Sequence, residues 1–351
     1  MTTALDRARR LADDILFPAA DQVDRSGQLP VAQLDQIVEE GLYGLVGPAE
    51  LGGVGADRAT QLEIIETLAS GCLTTCFVWL QHQNAVGLAA GCDGELHAKW
   101  AAPLARGQVK AGVAFAHLLR PEVVISAEPA NPGDPSQGWI LNGTAPWVTG
   151  WGYIDIVSTA ARCNVAYTDD GKIDDPGEVR WLFVDAVASR TLQVRPLELS
   201  AVNSSATYAV EFIDHHVAAD RLVLTEPYRR WRSNYDKGLR VNASLALGLS
   251  RRCGLLLDEA GVDHHFQSEL DALRRRLDQT SVEDMPKARA DLSTLAVRMT
   301  AALVAATGGR SVMLDQTGQR LAREAIFLLI QGQTADIKRH QIEGLARPGL
   351  A

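Results

Sequence analysis

Trp147 and Thr149 stand two residues apart at the end of a short apolar run, and their side chains suit the binding of a planar ligand. The indole of Trp147 offers a large flat surface against which an aromatic ring packs. The hydroxyl and backbone N–H of Thr149 supply hydrogen bonds to the polar edge of such a ring. Both residue types are also common inside strands, so a plain core tryptophan and a plain strand threonine are the alternative.

The cysteines and histidines form no pattern that predicts a metal site or a disulfide framework. His215 and His216 are adjacent, and we place them in the turn after a predicted strand, where their side chains point in different directions. The cysteines are odd in number and scattered, so we expect no metal and a reducing compartment. They are Cys72, Cys76, Cys92, Cys163 and Cys253.

The composition is that of an acidic globular protein. The chain has 351 residues, of which 46% are hydrophobic and 22% charged, and its formal net charge is −9. Proteins that bind nucleic acid usually carry a basic face, so we expect no nucleic-acid partner. The first residues contain Asp6, Asp13 and Asp14 and no long apolar run, which argues against a signal peptide or membrane anchor and favours the cytoplasm.

Three segments of different character follow one another along the chain. Residues 1–110 are helical in pattern, and Asp57 is placed to cap one of the helices. Residues 111–225 hold short β-rich runs between turn-forming pairs, which predicts an antiparallel barrel or sandwich. Residues 226–351 return to apolar stripes at helical spacing. The sequence therefore predicts an α+β protein with an N-terminal helical domain, a middle β domain and a C-terminal four-helix bundle.

Two local patterns in the middle segment predict strands and their connections. In the run TYAVEF, Tyr208, Val210 and Phe212 alternate with smaller or charged residues, which is the period of a half-buried strand. The pair Asn142 and Gly143 is typical of a two-residue hairpin turn, so we expect the chain to reverse there.

Several longer motifs resemble those of the acyl-CoA dehydrogenase superfamily, in matching order over nearly the whole chain. The sharpest is GWILNGTAPWVTGWGYIDIVSTAAR at 138–162, which is similar to the family pattern G-x-x-LNG-x-K-x-W-[IV]-T followed by a strand. GLYGLVGPAELGGVGAD at 41–57 resembles the glycine-rich turn of its N-terminal helices. The strand pair at 201–223 and the helices at 235–253 and 321–339 resemble the closing β segment and the C-terminal helices.

The resemblance implies a flavoprotein that binds FAD and desaturates an acyl thioester between its α and β carbons. It implies a thioester presented by coenzyme A or a carrier protein, an electron acceptor such as an electron-transfer flavoprotein, and no membrane partner. It also implies a homodimer or tetramer, or a hetero-oligomer with a homologous chain. Carried over position by position, the cofactor-binding residues are Phe115, His117, Leu118, Trp147, Val148, Thr149, Gln331 and Thr334.

The chain departs from the family at the catalytic base, which must be a group able to accept the α proton. The base is usually the glutamate of an EGT sequence, and here IQGQT at 330–334 places either Gln331 or Gly332 in that position. Other members carry the base on an earlier helix, where the matching residue is Gly238. Asp236 lies nearby but matches a position that the family does not use, so the sequence assigns no catalytic residue.

Two stretches that resemble flavin-contacting motifs are also altered. VAFAHLLRPEVVISAEP at 113–129 stands where the family has TEP-x-x-GSD, so the threonine hydroxyl is missing. Either His117 takes its place or it is a packing histidine. DHHF at 263–266 matches R-x-x-FG, which reaches the FAD of a neighbouring subunit, but lacks the arginine.

Three functions stay open at this point. The first is a FAD-dependent oxidoreductase that desaturates an acyl thioester with a base not yet located. The second is a redox-silent or helper subunit that pairs with a complete relative and contributes half of a composite site. The third is a flavin-dependent monooxygenase of the same fold, whose chemistry needs no carboxylate at that position.

Overall fold

The computed structural model describes residues 2–346, and its N-terminal part is helical as predicted. Asp57 caps α4, since its side chain accepts a hydrogen bond from the backbone N–H of Thr60 at 2.8 Å. The helices of this part are α1 (Ala4–Arg10), α2 (Phe17–Ser26), α3 (Val31–Glu39), α4 (Arg58–Gly71), α5 (Leu73–Gly91) and α6 (Gly94–Ala105).

The middle part is a mixed β-sheet with a small separate hairpin. Its strands are β1 (Ala111–Ala114), β2 (Ile125–Pro129), β3 (Trp139–Val148), β4 (Ile156–Cys163), β5 (Ala166–Tyr167), β6 (Ile173–Asp175), β7 (Glu178–Asp185), β8 (Leu192–Pro196), β9 (Tyr208–Val217) and β10 (Leu222–Pro227). The sheet follows the order β10-β7-β4-β2-β3-β9-β8, with β1 beside β4, while β5 pairs with β6. Most pairs are antiparallel, but β1 and β2 run parallel to β4. The prediction of a purely antiparallel sheet was wrong, because alternation within one strand does not specify the direction of its partner.

Asn142 and Gly143 do not form the predicted hairpin turn. Both lie inside β3, where the register against β9 shifts between Leu141 and Gly143. The Asn142 side chain accepts a hydrogen bond from the N–H of Asp214 at 2.8 Å and donates one to its carboxylate at 3.0 Å. Gly143 has a φ of 121°, which side-chain-bearing residues rarely adopt. Ile213 and Asp214 of β9 thus stand opposite Asn142 alone, so the irregularity is a β-bulge whose extra residue lies on β9.

His215 and His216 also lie elsewhere than predicted, within β9 rather than in a turn. His215 Nδ1 is 3.0 Å from the hydroxyl of Thr191, and His216 Nε2 donates to the carbonyl of Gln137 at 2.7 Å. Each ring thus binds a different neighbour within the β part. Residues 2–346 contain no group of three side chains placed to hold a metal ion.

The C-terminal part is a helical bundle built around α9. Its helices are α7 (Tyr228–Glu259), α8 (Phe266–Gln279), α9 (Met285–Thr307), α10 (Thr317–Ile330) and α11 (Ala335–Ala346). The other four helices of the bundle all pack against α9. The segment Met285–Val312 is long and apolar enough by composition to span a membrane, but a central bundle helix has the same composition.

The two helical parts share one hydrophobic core. Leu68 of α4 and Cys76 of α5 belong to the same buried cluster as Leu249 of α7 and Leu292 of α9. Gly248 lets α7 approach α4 closely, because a Cβ at this position would overlap the carbonyl oxygen of Glu66. The order of helices, sheet and helices is confirmed, while the division into domains after residues 110 and 225 stays a prediction.

Candidate functional site

The end of β3 presents one exposed aromatic ring beside a buried hydroxyl. Trp147 is 51% exposed, whereas Val148 is fully buried in the core of the β part. Thr149 is buried, and its hydroxyl lies 3.0 Å from that of Thr207, which in turn lies 2.8 Å from that of Ser205. The predicted core role of Trp147 is therefore excluded by its exposure, and its ring is available to a ligand or a partner.

A short 3-10 turn at Ala116–Leu119 lies beside β3 and β4 and carries a buried histidine. His117 Nε2 is 2.8 Å from the carbonyl oxygen of Ala160, which only accepts hydrogen bonds, so Nε2 carries the proton. Burial lowers the pKa of His117 to about 4, so the ring is neutral at pH 7. Its Nδ1 is a buried acceptor without a partner among residues 2–346. Leu118 is buried, and its carbonyl accepts a hydrogen bond from Tyr228 at 2.8 Å.

The segment at 330–334 forms a turn between α10 and α11 that contains both candidate positions for the glutamate, Gln331 and Gly332. Gly332 has a φ of 59°, which glycine adopts more readily than other residues. The Gln331 amide donates to the side-chain oxygen of Asn242 on α7 at 3.2 Å, and its own oxygen is buried without a partner in the described structure. Thr334 is buried, and its hydroxyl accepts from the N–H of Ile337 at 3.3 Å, at the start of α11.

Arg289, at the start of α9, holds this turn from behind. Its guanidinium donates to the carbonyl of Gly332 at 2.9 Å and to that of Gln331 at 3.0 Å. Burial lowers the pKa of Arg289 to about 10, which leaves it a cation at neutral pH. Tyr235 of α7 reaches the same place, since its hydroxyl donates to the Gly332 carbonyl at 3.5 Å.

Tyr235 also joins the turn to the β part through an aromatic cluster. Its ring meets the edge of Phe115 with centroids 6.0 Å apart and stacks on Trp231 at 5.6 Å. Phe115 in turn lies 6.1 Å from the ring of Trp181 on β7. This cluster fills the junction between the sheet and the first half of α7. Phe115 and Gln331, far apart in the sequence, are thereby brought to either side of one tyrosine.

The face of α7 that meets the turn contains Trp231, Tyr235, Gly238 and Asn242, at the spacing of one helical stripe. A Cβ added at Gly238 would meet no atom within 4 Å, so open space lies between Tyr235 and Asn242. No carboxylate stands at either position from which the family supplies its base. Asp236 lies on another side of α7, where Arg232 binds it at 3.0 Å.

Sequence reasoning missed three residues of this site, namely Tyr235, Asn242 and Arg289. The stripe that Tyr235 and Asn242 share with Gly238 was a signal that would have found the first two. Arg289 carries no such signal, because an arginine near the start of an amphipathic helix normally faces solvent. The structure brings Phe115, Gln331 and these three residues together, whereas Trp147 and Thr149 lie at the neighbouring strand end.

Known proteins with similar sequences agree with this architecture. Residues 2–108 match the family described as acyl-CoA dehydrogenase, N-terminal domain. The chain is 26% identical over 372 aligned positions to 3-sulfinopropanoyl-CoA desulfinase of Paraburkholderia xenovorans, with 96% of this chain and 93% of that protein covered. It is 28% identical over 257 positions to the mitochondrial short-chain specific acyl-CoA dehydrogenase of Homo sapiens, with 70% of this chain but only 59% of that protein covered.

A solved structure gives the same result at the level of the fold. Butyryl-CoA dehydrogenase from Megasphaera elsdenii superimposes with a TM-score of 0.78 over 98% of this chain and 97% of that one, at 17% identity. Helices, sheet and helices in this arrangement define the acyl-CoA dehydrogenase fold. The chain thus shares the acyl-CoA dehydrogenase fold, and its N-terminal helices match the family's N-terminal domain in sequence.

Proposed function

We propose that the protein is a flavin-binding acyl-thioester oxidoreductase subunit that does not carry out α,β-desaturation by itself and works beside a homologous chain. One observation carries this proposal. Gln331 and Gly238 occupy the two positions from which the family supplies a carboxylate, and neither accepts a proton at neutral pH.

The residues at the strand end and the neighbouring 3-10 turn fit FAD. Trp147 offers an exposed plane, and Thr149 offers a backbone N–H and a hydroxyl that heads a short chain of hydroxyls. The unpartnered Nδ1 of His117 is an acceptor suited to a ring N–H, and a buried acceptor without a partner costs about 1–3 kcal/mol. When bound, FAD supplies a two-electron acceptor at this place.

The Gln331 amide keeps the shape of a glutamate side chain but not its basicity. Asn242 fixes the amide in place, so the turn is ordered without a proton acceptor. A positioned general base contributes about 10²–10⁴-fold to such a reaction. We therefore expect the isolated chain to bind thioester without removing its α proton at a useful rate.

The exposed apolar side chains along α10 support association with a second chain. Ile326 and Ile330 lie one helical turn apart next to the turn at 331–334 and are 58% and 63% exposed, while Val312 and Leu314, before the other end of α10, are 82% and 67% exposed. Large exposed apolar groups of this kind mark contacts between proteins. Ile330 directly precedes Gln331, so a chain that covers this surface lies next to the incomplete site.

The experiment is a visible absorbance spectrum of the purified chain followed by a dye-linked assay with acyl-CoA substrates. We expect bound flavin, no turnover by the chain alone, and turnover when it is co-expressed with a homologous chain that carries EGT. Desaturation by the wild-type chain alone would overturn the proposal. A protein that stays colourless with added FAD would overturn its flavin part.

Gln331→Glu is expected to create desaturase activity, because it places a carboxylate where the family has one. The gain in dye-linked turnover should be about 10²-fold, the lower end of what a general base contributes. Gln333→Glu is the matched control, since Gln333 donates to the Leu329 carbonyl and to Gln341 instead of facing Asn242. Equal gains in the two variants would show that Gln331 does not hold the base position.

A second candidate is chemistry in which an anionic group leaves the acyl chain of a thioester. The alignment of 96% of this chain, at 26% identity, with a protein named 3-sulfinopropanoyl-CoA desulfinase favours it. The buried cation Arg289 behind the turn also favours it. In such a reaction the carbon–sulfur bond breaks, water supplies a proton to the carbon and a hydroxyl to the sulfur, and sulfite leaves, so the site must bind the anion and needs no carboxylate base. Incubation with 3-sulfinopropanoyl-CoA, followed by mass spectrometry of the thioester, tests it: an unchanged substrate mass rejects this candidate.

A further inference from the structure

Arg289 is a buried cation without a counter-ion. It is only 7% exposed, and no carboxylate of residues 2–346 lies within 4 Å of its guanidinium. Other buried arginines of the chain differ in this respect, because Arg320 binds Asp21 and Glu324, and Arg240 binds Glu66. Burying a charge without a partner is costly, so we expect an anion from outside the chain to pair with Arg289.

Two carbonyl bonds do not use up the donors of Arg289. A guanidinium carries five N–H groups, and the carbonyls of Gln331 and Gly332 take two of them. The side-chain oxygen of Asn242 accepts the bond from Gln331. The amide nitrogen of Asn242 lies nearby and has no acceptor among the described residues. The site therefore offers free hydrogen-bond donors from two side chains.

Glycine at position 332 lets the Asn242 amide pack directly against the turn. A Cβ at Gly332 would stand 2.7 Å from the Asn242 amide nitrogen and 3.5 Å from Nη1 of Arg289. Both donors thus lie on the side of the turn where a side chain would otherwise be. Gly238 adds open space on the facing stripe of α7, between Tyr235 and Asn242.

We propose that Arg289 and Asn242 form a subsite for a small anionic group, a carboxylate or sulfinate, at the end of a short acyl chain. The inference rests on the proposed binding of acyl thioesters beside the turn at 331–334, and it names the class of thioester. A guanidinium and an amide together match the two oxygens of such a group, and the missing counter-ion of Arg289 is then supplied by the ligand. An apolar chain of equal length leaves both donors unpaired.

The test compares succinyl-CoA with butyryl-CoA, which have four-carbon acyl chains and differ in the terminal charge. We expect isothermal titration calorimetry of the flavin-loaded protein to give a Kd at least about tenfold lower for succinyl-CoA, since hydrogen bonds to charged groups contribute about 1.5–3 kcal/mol. Arg289→Met should abolish this ratio. Arg298→Met is the matched control on the same helix, where the exposed arginine pairs with Glu269, and it should keep the ratio.

The ratio of the two dissociation constants separates charge recognition from a purely structural role. If Arg289 only holds the turn, Arg289→Met weakens both ligands equally and leaves the ratio unchanged, which would overturn the inference. Asn242→Leu gives a second variant that leaves Arg289 and its carbonyl bonds in place, and it should also reduce the ratio. Equal affinities in the wild-type protein reject the subsite alone, whereas binding of neither thioester rejects the proposed function as well.

Discussion

At the scale of single residues, an amide at position 331 would separate two functions that a carboxylate there would combine, ligand binding and proton abstraction. Binding needs shape and hydrogen bonds, and Gln331 supplies both through its contact with Asn242. Proton abstraction needs a basic group, which an amide is not. The neighbouring cation Arg289 would stabilise a negative charge in the cleft, whether it belongs to a ligand or to an introduced glutamate.

Trp147→Ala should weaken flavin binding, because it removes the exposed plane at the end of β3. We expect the Kd for FAD to rise by up to about tenfold, since aromatic stacking contributes about 0.5–1.5 kcal/mol. The flavin-to-protein absorbance ratio after gel filtration measures this. Tyr167→Ala is the control, because Tyr167 is an aromatic residue of the β part with similar exposure, at 55%. Unchanged flavin content in Trp147→Ala would contradict the placement of the cofactor.

His82 predicts a loss of stability in mild acid. Its ring is fully buried, with Nε2 donating to the Leu104 carbonyl at 2.9 Å and Nδ1 accepting from the N–H of Ala111 at 3.0 Å. Burial lowers its pKa from 6.5 to about 4, so the native state resists a proton that the unfolded chain takes up. Stability from this residue is complete above pH 6.5 and is lost as the pH falls toward 4.

The expected loss from His82 over this interval is about 3 kcal/mol, at 1.36 kcal/mol per pKa unit. Urea denaturation at a series of pH values measures it. His82→Gln should be less stable at pH 7 but should show a shallower decline, with the remaining slope shared by His117, whose pKa is lowered in the same direction. A variant with the wild-type slope would mean that His82 does not titrate in this way.

At the scale of elements, α7 packs against the turn at 331–334 with one face and against α4 with another. The stripe of Tyr235 and Asn242 meets the turn at 331–334, while Gly248 allows close packing against α4. Glu66 of α4 is itself held by Arg240 of α7 at 3.2 Å and by Arg274 of α8. The packing of α7 against α4 at Gly248 thus fixes where Tyr235 and Asn242 stand relative to the turn at 331–334.

Gly248→Ala and Gly254→Ala form a matched pair within α7. The Cβ at position 248 overlaps the Glu66 carbonyl, so we expect a loss of about 1–3 kcal/mol of unfolding free energy from overpacking. At position 254 the nearest atom is the Met299 methyl at 3.6 Å, an ordinary contact, and alanine should stabilise the helix by up to about 1 kcal/mol. Thermal unfolding of both variants checks the opposite signs, and a shift of the same sign would contradict the close α4–α7 contact.

At the scale of the whole molecule, the first and last thirds of the chain fold as one body. Their helices share one core, and ion pairs join α2 to α10: Asp21 binds Arg320 at 2.7 Å, and Asp24 binds Arg323. A buried pair of this kind costs about 3–5 kcal/mol when one partner is removed. The turn that carries Gln331 binds Asn242 of α7 and Arg289 of α9, and Tyr235 connects it to Phe115 beside the sheet, so its position depends on both the bundle and the β part.

A chain that ends after residue 261 is therefore expected not to fold. It keeps the N-terminal helices and the sheet but exposes Leu68, Leu249 and the rest of the shared core to water. Circular dichroism during urea titration should show a broad, non-cooperative transition, in contrast to the single transition of the full chain. A cooperative transition in the truncated chain would mean that its helices form an independent domain.

The sequence predicted those features that a short segment encodes by itself. Asp57 caps α4 because the cap and the N–H that donates to it are three residues apart, and Tyr208–Val217 is a strand because alternation is a local pattern. The pair Asn142 and Gly143 was misread as a turn, since its partner in the bulged pairing is Asp214 of β9, 72 residues away. The directions of β1 and β2 were missed because they depend on β4, a strand that lies elsewhere in the sequence.

The amino-acid sequence alone determined the order of helices, sheet and helices, and it determined that no carboxylate stands at either base position, because residue identity at a matched position needs no coordinates. Only the tertiary structure decided that Tyr235, Asn242 and Arg289 converge on the turn at 331–334 and that the space beside Gly238 is open. Contacts between residues far apart in the chain leave no periodic trace in it, and a buried cation is recognised only once its surroundings are known.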